Sequence, residues 1–215
     1  FYGGMVRRKN LLATVAQSTA ALAIVTVLWF VAGYSLSFGK GPDAINGLVG
    51  GLDAALLNGV GIDTAHSLSP GLPEFLWIAY QLTFAIITPA LIAGAFADRM
   101  KFSASLLFFG LWHLIVYAPI AHWVWGGGWL GELGALDFAG GTVVHVNAGV
   151  AALVAALVLG SRHDHSRTAL LPHNVPFVLL GAALLWFGWF GFNGGSALAA
   201  DEIAALAFVN TMLAP

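Results

Sequence analysis

Long apolar runs without charged residues dominate this sequence and restrict what it can fold into. One run extends from Phe138 to Gly160 with no residue charged at neutral pH, which is about the length that an α-helix needs to cross a bilayer core. Of the 215 residues, 59% are hydrophobic and only 8% are charged, whereas a soluble domain carries about 25% charged residues. The alternation in ~10-residue units that marks a membrane β-barrel is absent. The sequence therefore predicts an all-α polytopic membrane protein.

Five runs are long enough to span a membrane, and a partial sixth begins near Glu202. The predicted spans cover residues 11–38, 75–96, 102–125, 142–160 and 175–199. The segment from Gly39 to Pro73 is rich in glycine, serine, aspartate and proline, and is predicted as a long extramembrane loop with a short helix near residues 44–57. Because position 1 is not methionine and the last apolar run is too short to span, we expect a piece of a longer protein, with residues 1–215 forming a single transmembrane domain.

The distribution of charge predicts the orientation of the chain. With five alternating spans, seven of the eight lysine and arginine residues fall on one side: Arg7, Arg8, Lys9, Arg99, Lys101, Arg162 and Arg167. Only Lys40 falls on the other side, which collects eight carboxylates: Asp43, Asp53, Asp63, Glu74, Glu132, Asp137, Asp201 and Glu202. The positive-inside rule makes the first side cytoplasmic and the second side the outer one.

His145 is an ionisable residue within an apolar span. Such residues are costly in a membrane, face a bundle interior or a pathway, and are functional candidates by default. One interpretation is a hydrogen bond between helices. The other is an imidazole that lines a pore and exchanges protons near neutral pH. Asp137 precedes the same helix, where an aspartate is expected to cap free N–H groups more than to contact a substrate.

Two span ends combine an aromatic or hydroxyl side chain with glycines. Trp125 lies in HWVWGGG and Ser196 lies in GFNGGS. An aromatic face and a hydroxyl acceptor suit a small cation, through cation–π attraction and a hydrogen bond. Phe84 and Phe192 lie in apolar spans, where ordinary packing is the favoured interpretation from the residues alone. For the tryptophans at span ends, the alternative to a binding role is an interfacial aromatic belt.

Other chemistry finds little support in the sequence. The chain has no cysteine, which excludes disulfides and thiolate sites, and it contains neither a nucleophile elbow nor a phosphate-cradling loop. His163, Asp164 and His165 form a pattern of low specificity for a metal, while His113 and His122 are expected to contact helices or the interface. We predict no enzymatic activity, no cofactor, no metal site and no nucleic-acid partner.

Several blocks resemble the ammonium transporter family (Amt/Mep/Rh), and its bacterial Amt branch in particular. The blocks are FYGGMVRRKN, AHWVWGGGWLGELGALDFAGGTVVHVNAG, GWFGFNGGSA and DEIAALAFVNT, in the family's order. The resemblance implies the first half of an inverted-repeat transporter bundle, with the second pore histidine supplied by the other half. It also implies multi-pass insertion in the plasma membrane (the inner membrane of a cell with two), contact with membrane lipid, a homotrimer and a P-II-type regulator at the cytoplasmic face.

The resemblance implies a role for each candidate residue. Trp125, Ser196 and Phe84 would recruit ammonium at the outer face. Phe84 and Phe192 would close the outer mouth, and His145 would relay protons in an apolar pore. The supporting residues would be Asp137, Trp189 and Tyr80, the last at a position where the family often has phenylalanine.

The leading functional prediction is ammonium transport, with deprotonation at the outer site and passage of ammonia. The alternative is an ammonium sensor that uses the same fold to control a cytoplasmic signalling domain. A gas channel of the Rh type is disfavoured by Trp125 and the GFNGGS block, and a water or glycerol channel by the absence of paired NPA sequences.

Overall fold

The structure is a computed structural model, which describes residues 1–162, 164–165 and 167–214. All regular elements in these ranges are helical. They are α1 (Tyr2–Met5), α2 (Arg8–Phe38), α3 (Glu74–Phe96), α4 (Phe102–Glu132), α5 (Gly141–Leu159), α6 (Val175–Gly195) and α7 (Glu202–Leu213). The helices α2 to α6 are long and apolar enough to cross a membrane, so the predicted all-α architecture with five spans is confirmed.

The helix α3 lies at the centre of the packing. It contacts α2 on one side and α5 on the other, while α2 also packs on α4. The helix α6 packs against α1 and α7. Large side chains fill the interior between α2, α3 and α4, and the fully buried ones include Trp29, Phe96, Phe109 and Tyr117. This arrangement holds the outer ends of α3, α4 and α6 close together, where the candidate residues lie.

Three of the spanning helices contain a π-helical segment: Trp29–Gly33, His113–Tyr117 and Gly141–Val146. The first two are packed so closely that a β-carbon on Gly33 would overlap Nε2 of His113. The third carries His145. A π-helical turn shifts the direction of the following side chains and is frequent at functional sites. None of these segments is visible in the hydropathy pattern.

Two sequence predictions about boundaries are wrong. Residues 44–57 do not form the predicted helix. This stretch consists mostly of turns and ends in the three-residue 3-10 turn Ala55–Leu57. The glycines there serve close backbone contacts, as a β-carbon on Gly50 would crowd the Ser35 carbonyl oxygen, and they also disfavour a helix. The fifth span ends at Gly195 and not at residue 199, because the glycine pair ends the helix and Leu198 takes a positive φ of 58°.

The seven basic residues predicted to be cytoplasmic lie at one end of the bundle. Five of them line a cavity of about 700 Å³: Arg7, Lys9, Arg99, Arg162 and Arg167. Arg8 begins α2 and Lys101 immediately precedes α4. Arg7 forms an ion pair with Asp164, and Arg162 lies 3.6 Å from a carboxylate oxygen of Asp98. These contacts join the loops at this end.

Candidate functional site

A cavity of about 340 Å³ opens at the outer end of the bundle, between α3, α4 and the end of α6. It is called the outer cavity below. Its lining residues are Leu68, Trp77, Tyr80, Gln81, Phe84, Val124, Trp125, Asp137, Phe138, Ser196 and Leu198. Five of the predicted site residues therefore share one cavity, although they come from four separate stretches of the sequence.

Trp125 forms one wall of the outer cavity. It follows Val124, where the long α-helical part of α4 ends, and the glycines at 126–128 form the turn after it. Its indole N–H donates to the carbonyl oxygen of Asp137 at 2.9 Å. Its ring also stands edge-on to Phe84, with ring centroids 5.3 Å apart and an interplanar angle of 77°. The hydrogen bond and the aromatic contact fix the ring and keep its position defined.

Tyr80 and Ser196 place two hydroxyl groups together on the opposite wall. The Tyr80 hydroxyl donates to the carbonyl oxygen of Phe192 at 2.7 Å, and lies 2.8 Å from Oγ of Ser196. The Ser196 hydroxyl also reaches the Phe192 carbonyl, at 2.8 Å. Because a hydroxyl oxygen has two acceptor lone pairs, this pair can still accept hydrogen bonds from a small cationic donor.

An unbroken series of aromatic contacts leads from the outer cavity to His145. Phe84 is 1% exposed and packs on Phe192 with ring centroids 4.3 Å apart. Phe192 stacks on Trp189 at 4.8 Å, and Trp189 contacts the His145 ring at 5.8 Å. The rings belong to α3, α6 and α5, so tertiary packing brings them together. His145 itself is exposed on the open face of this chain.

Asp137 caps the helix that carries His145, as the sequence predicts. Each of its two carboxylate oxygens accepts two backbone N–H groups, at distances from 2.6 to 2.9 Å. The donors are Gly140, Gly141, Thr142 and Val143. Because these bonds occupy both oxygens, the carboxylate is held as a structural cap beside the outer cavity and contributes a negative field there.

Gln81 and Trp77 also line the outer cavity, whereas the sequence predicts no role for Gln81 and only an interfacial position for Trp77. They are 5% and 3% exposed. Within the described chain, Oε1 of Gln81 and Nε1 of Trp77 have no hydrogen-bond partner. A buried polar atom without a partner is costly and calls for an explanation. A glutamine inside an apolar span, next to Tyr80, is the sequence signal that could have identified Gln81.

His66 anchors the long outer loop beside the same cavity. Its ring stacks on Trp77, with centroids 5.2 Å apart and an interplanar angle of 10°, and its Nδ1 accepts the N–H of Leu68 at 3.2 Å. Burial lowers the pKa of His66, although the Phe38 carbonyl and the Glu74 carboxylate act in the opposite direction. The neutral ring therefore helps to hold Leu68 at the wall of the outer cavity.

Metal binding finds no support among the described residues. No group of three or more histidine, aspartate or glutamate side chains is placed there to hold a metal ion. His163, part of the pattern with Asp164 and His165, lies outside the described residues.

Known proteins resemble this chain along its whole length. The sequence model described as Ammonium Transporter Family matches residues 1–215. An ammonium transporter of Bacillus subtilis is 55% identical, over 98% of this chain and 50% of its own length. One from Aquifex aeolicus is 56% identical, over 100% and 49%.

Solved structures show the same relationship. A crystal structure of Candida albicans Mep2 has a TM-score of 0.81 at 34% identity, covering 99% of this chain and 53% of that one. A structure described as a Sensor Amt Protein has a TM-score of 0.85 at 32% identity, covering 98% and 52%. The chain thus spans about half the length of the relatives it matches. It is a multi-pass membrane protein, and it belongs to the ammonium transporter family, a family of transporters and not of enzymes.

Proposed function

We propose that this chain forms the recruitment site and one wall of the pore in a protein that carries ammonium or ammonia across the plasma membrane. Because the chain spans about half of its relatives' length, the proposal concerns a protein with both halves, called the full-length protein below. The observation that carries it is the unbroken series of aromatic contacts from the outer cavity through Phe84, Phe192 and Trp189 to His145.

The outer cavity suits a small cation that donates hydrogen bonds. The rings of Trp125 and Phe84 offer cation–π attraction, and the hydroxyls of Tyr80 and Ser196 with Oε1 of Gln81 offer acceptors. The Asp137 carboxylate adds a negative field from beside the cavity. An uncharged ligand of this size would gain nothing from the field or from the cation–π contacts, so the site favours ammonium over ammonia.

Closely packed rings below the cavity oppose the passage of a bare cation. Phe84 and Phe192 lie 4.3 Å apart between centroids, and a charge stripped of water there would face a large desolvation penalty. Ammonium would transfer a proton to a water molecule at the outer site, and neutral ammonia would then pass the two phenylalanines. Water would carry the proton on to His145, which would pass it to a second histidine from the other half of the fold.

Current measurements on the full-length protein test this proposal. Proteoliposomes on a solid-supported membrane receive an ammonium pulse, and wild type is compared with His145→Ala. We expect a wild-type current that is lost or changed in the variant. His165→Ala is the control, because that histidine is exposed at the cytoplasmic end and its loss should leave the current unchanged. A current that is identical in wild type and His145→Ala would remove His145 from the pathway.

An ammonium sensor is the second candidate function. The similarity to the structure described as a Sensor Amt Protein favours it, with a TM-score of 0.85. The same outer cavity would bind ammonium, and the signal would leave through a cytoplasmic domain. Full-length protein that binds ammonium, gives no current, and changes the activity of an attached signalling domain would identify a sensor.

We further propose a homotrimer with a P-II-type regulator docked at the cytoplasmic end. The cluster of basic residues around the cavity of about 700 Å³ supports this docking, because it offers positive charge and hydrogen-bond donors at the loop surface. Size measurement of the full-length protein in detergent tests the trimer, and co-purification with a P-II protein tests the contact.

A further inference from the structure

His122 is a buried histidine one helical turn before Trp125. It is 1% exposed, and it does not line the outer cavity. Both of its ring nitrogens face backbone carbonyl oxygens, with Nδ1 3.0 Å from the oxygen of Ser37 and Nε2 2.6 Å from the oxygen of Asn46. Both distances lie within the range of hydrogen bonds.

Both partners of the ring are backbone carbonyl oxygens, which can only accept, so the ring supplies the donor. A buried polar group that loses its hydrogen-bond partner is costly, and removal of the ring would leave a buried carbonyl oxygen without its donor.

We propose that His122 positions the Trp125 turn for ammonium recruitment, and this role rests on the proposed function. Its ring contacts two backbone carbonyls that lie 85 and 76 positions away in the chain, so it joins the end of α4 to the end of α2 and to the outer loop.

The ring joins the outer loop to the end of α4. Asn46 is the first of three successive loop residues whose carbonyl oxygens accept from this end of the helix. The oxygen of Gly47 accepts the Trp129 N–H at 3.0 Å, and the oxygen of Leu48 accepts the Trp123 indole N–H at 2.6 Å. His122 is the most buried of the three donor residues, since it is 1% exposed and Trp129 is 40% exposed, with Trp123 in between.

The second acceptor, Ser37, connects the ring to the turn that follows Trp125. A β-carbon on Gly126 would overlap the Ser37 carbonyl oxygen, so the turn packs directly on the group that His122 binds. The backbone oxygen of His122 also accepts the N–H groups of Gly126 and Gly128, at 3.0 and 2.9 Å. Loss of the ring contacts would free the Ser37 carbonyl and loosen the turn that packs on it, so Trp125 would be held only by its contacts with Asp137 and Phe84.

Transport kinetics test the positioning role. His122→Leu removes the donor, and we expect the KM for ammonium to rise about tenfold while the current at saturation changes less. His122→Gln retains an amide with two donors and should recover part of the affinity. If His122→Leu does not form folded protein, the glutamine variant carries the test, and its KM should still lie above that of wild type. An unchanged KM in the folded variants would overturn the positioning role. Absence of an ammonium current in wild type would instead contradict the proposed function.

Discussion

Replacing Asp137 with asparagine should destabilise the protein more than its small change in size suggests. In the native cap, each carboxylate oxygen accepts two backbone N–H groups. In Asp137→Asn, one oxygen becomes an NH₂ group, so two of the four N–H donors face another donor. Hydrogen bonds to a charged group contribute about 1.5–3 kcal/mol each, and the loss should therefore amount to about 3–6 kcal/mol.

Asp201 supplies a matched control at the start of α7. Its Oδ1 alone accepts the N–H groups of Ile203 and Ala204, at 3.1 and 3.0 Å. The asparagine in Asp201→Asn keeps that oxygen and both bonds, and only the attraction between the negative charge and the helix dipole is lost. That attraction is worth about 0.3–1 kcal/mol at an exposed helix end.

The free energy of unfolding of the full-length protein in mixed detergent micelles provides the measurement. Asp137→Asn should lower it by several kcal/mol, and Asp201→Asn by less than about 1 kcal/mol. Equal losses in the two variants would refute the reasoning, because they would show that the number of oxygens engaged in the cap does not determine its strength. A normal ammonium current in a destabilised Asp137→Asn protein would show in addition that the charge is dispensable for recruitment.

Three further predictions concern the outer cavity. Tyr80→Phe removes the hydroxyl that bonds Phe192 and contacts Ser196, and one neutral hydrogen bond of about 1 kcal/mol corresponds to a rise of about fivefold in the KM of the ammonium current. Gln81→Leu removes the buried acceptor and should raise the same KM without lowering protein stability, since the glutamine oxygen has no partner in the described chain to lose. Burial lowers the pKa of His66 in the native protein. The His66 ring therefore stabilises the protein fully above the ordinary histidine pKa of about 6.5, and this stabilisation is lost as the pH falls through the lower native pKa. The difference in free energy of unfolding between wild type and His66→Leu should accordingly shrink on acidification from about pH 7 to about pH 5, and a constant difference would contradict the neutral state of the buried ring.

The membrane-spanning pattern could be predicted from the sequence because its physical cause is local. Backbone groups in a bilayer must find their hydrogen bonds within the same segment, so each span has to be a continuous apolar helix. The five spans and the position of basic residues at one end follow from that requirement and from the positive-inside rule. The cap formed by Asp137 is also local, since its donors lie within six residues of it.

The candidate site depends on contacts between residues that are far apart in the chain. Tyr80 and Ser196 are 116 positions apart and share a hydrogen bond, and the packed pair Phe84 and Phe192 joins two different spans. From the residues alone, ordinary packing was the favoured interpretation of both phenylalanines, and only the resemblance to a family suggested their position. No local pattern marks such pairs.

The contacts of His122 show the same division most clearly. Hydropathy places this histidine near the outer end of a span and indicates no more than a contact. Its two acceptors belong to Ser37 and Asn46, which are 85 and 76 positions away. The sequence by itself determined which segments cross the membrane, because that depends on the polarity of each segment in turn. Only the tertiary structure decided which polar atoms meet, because hydrogen bonds act over a few ångströms in space and carry no record in the order of the chain.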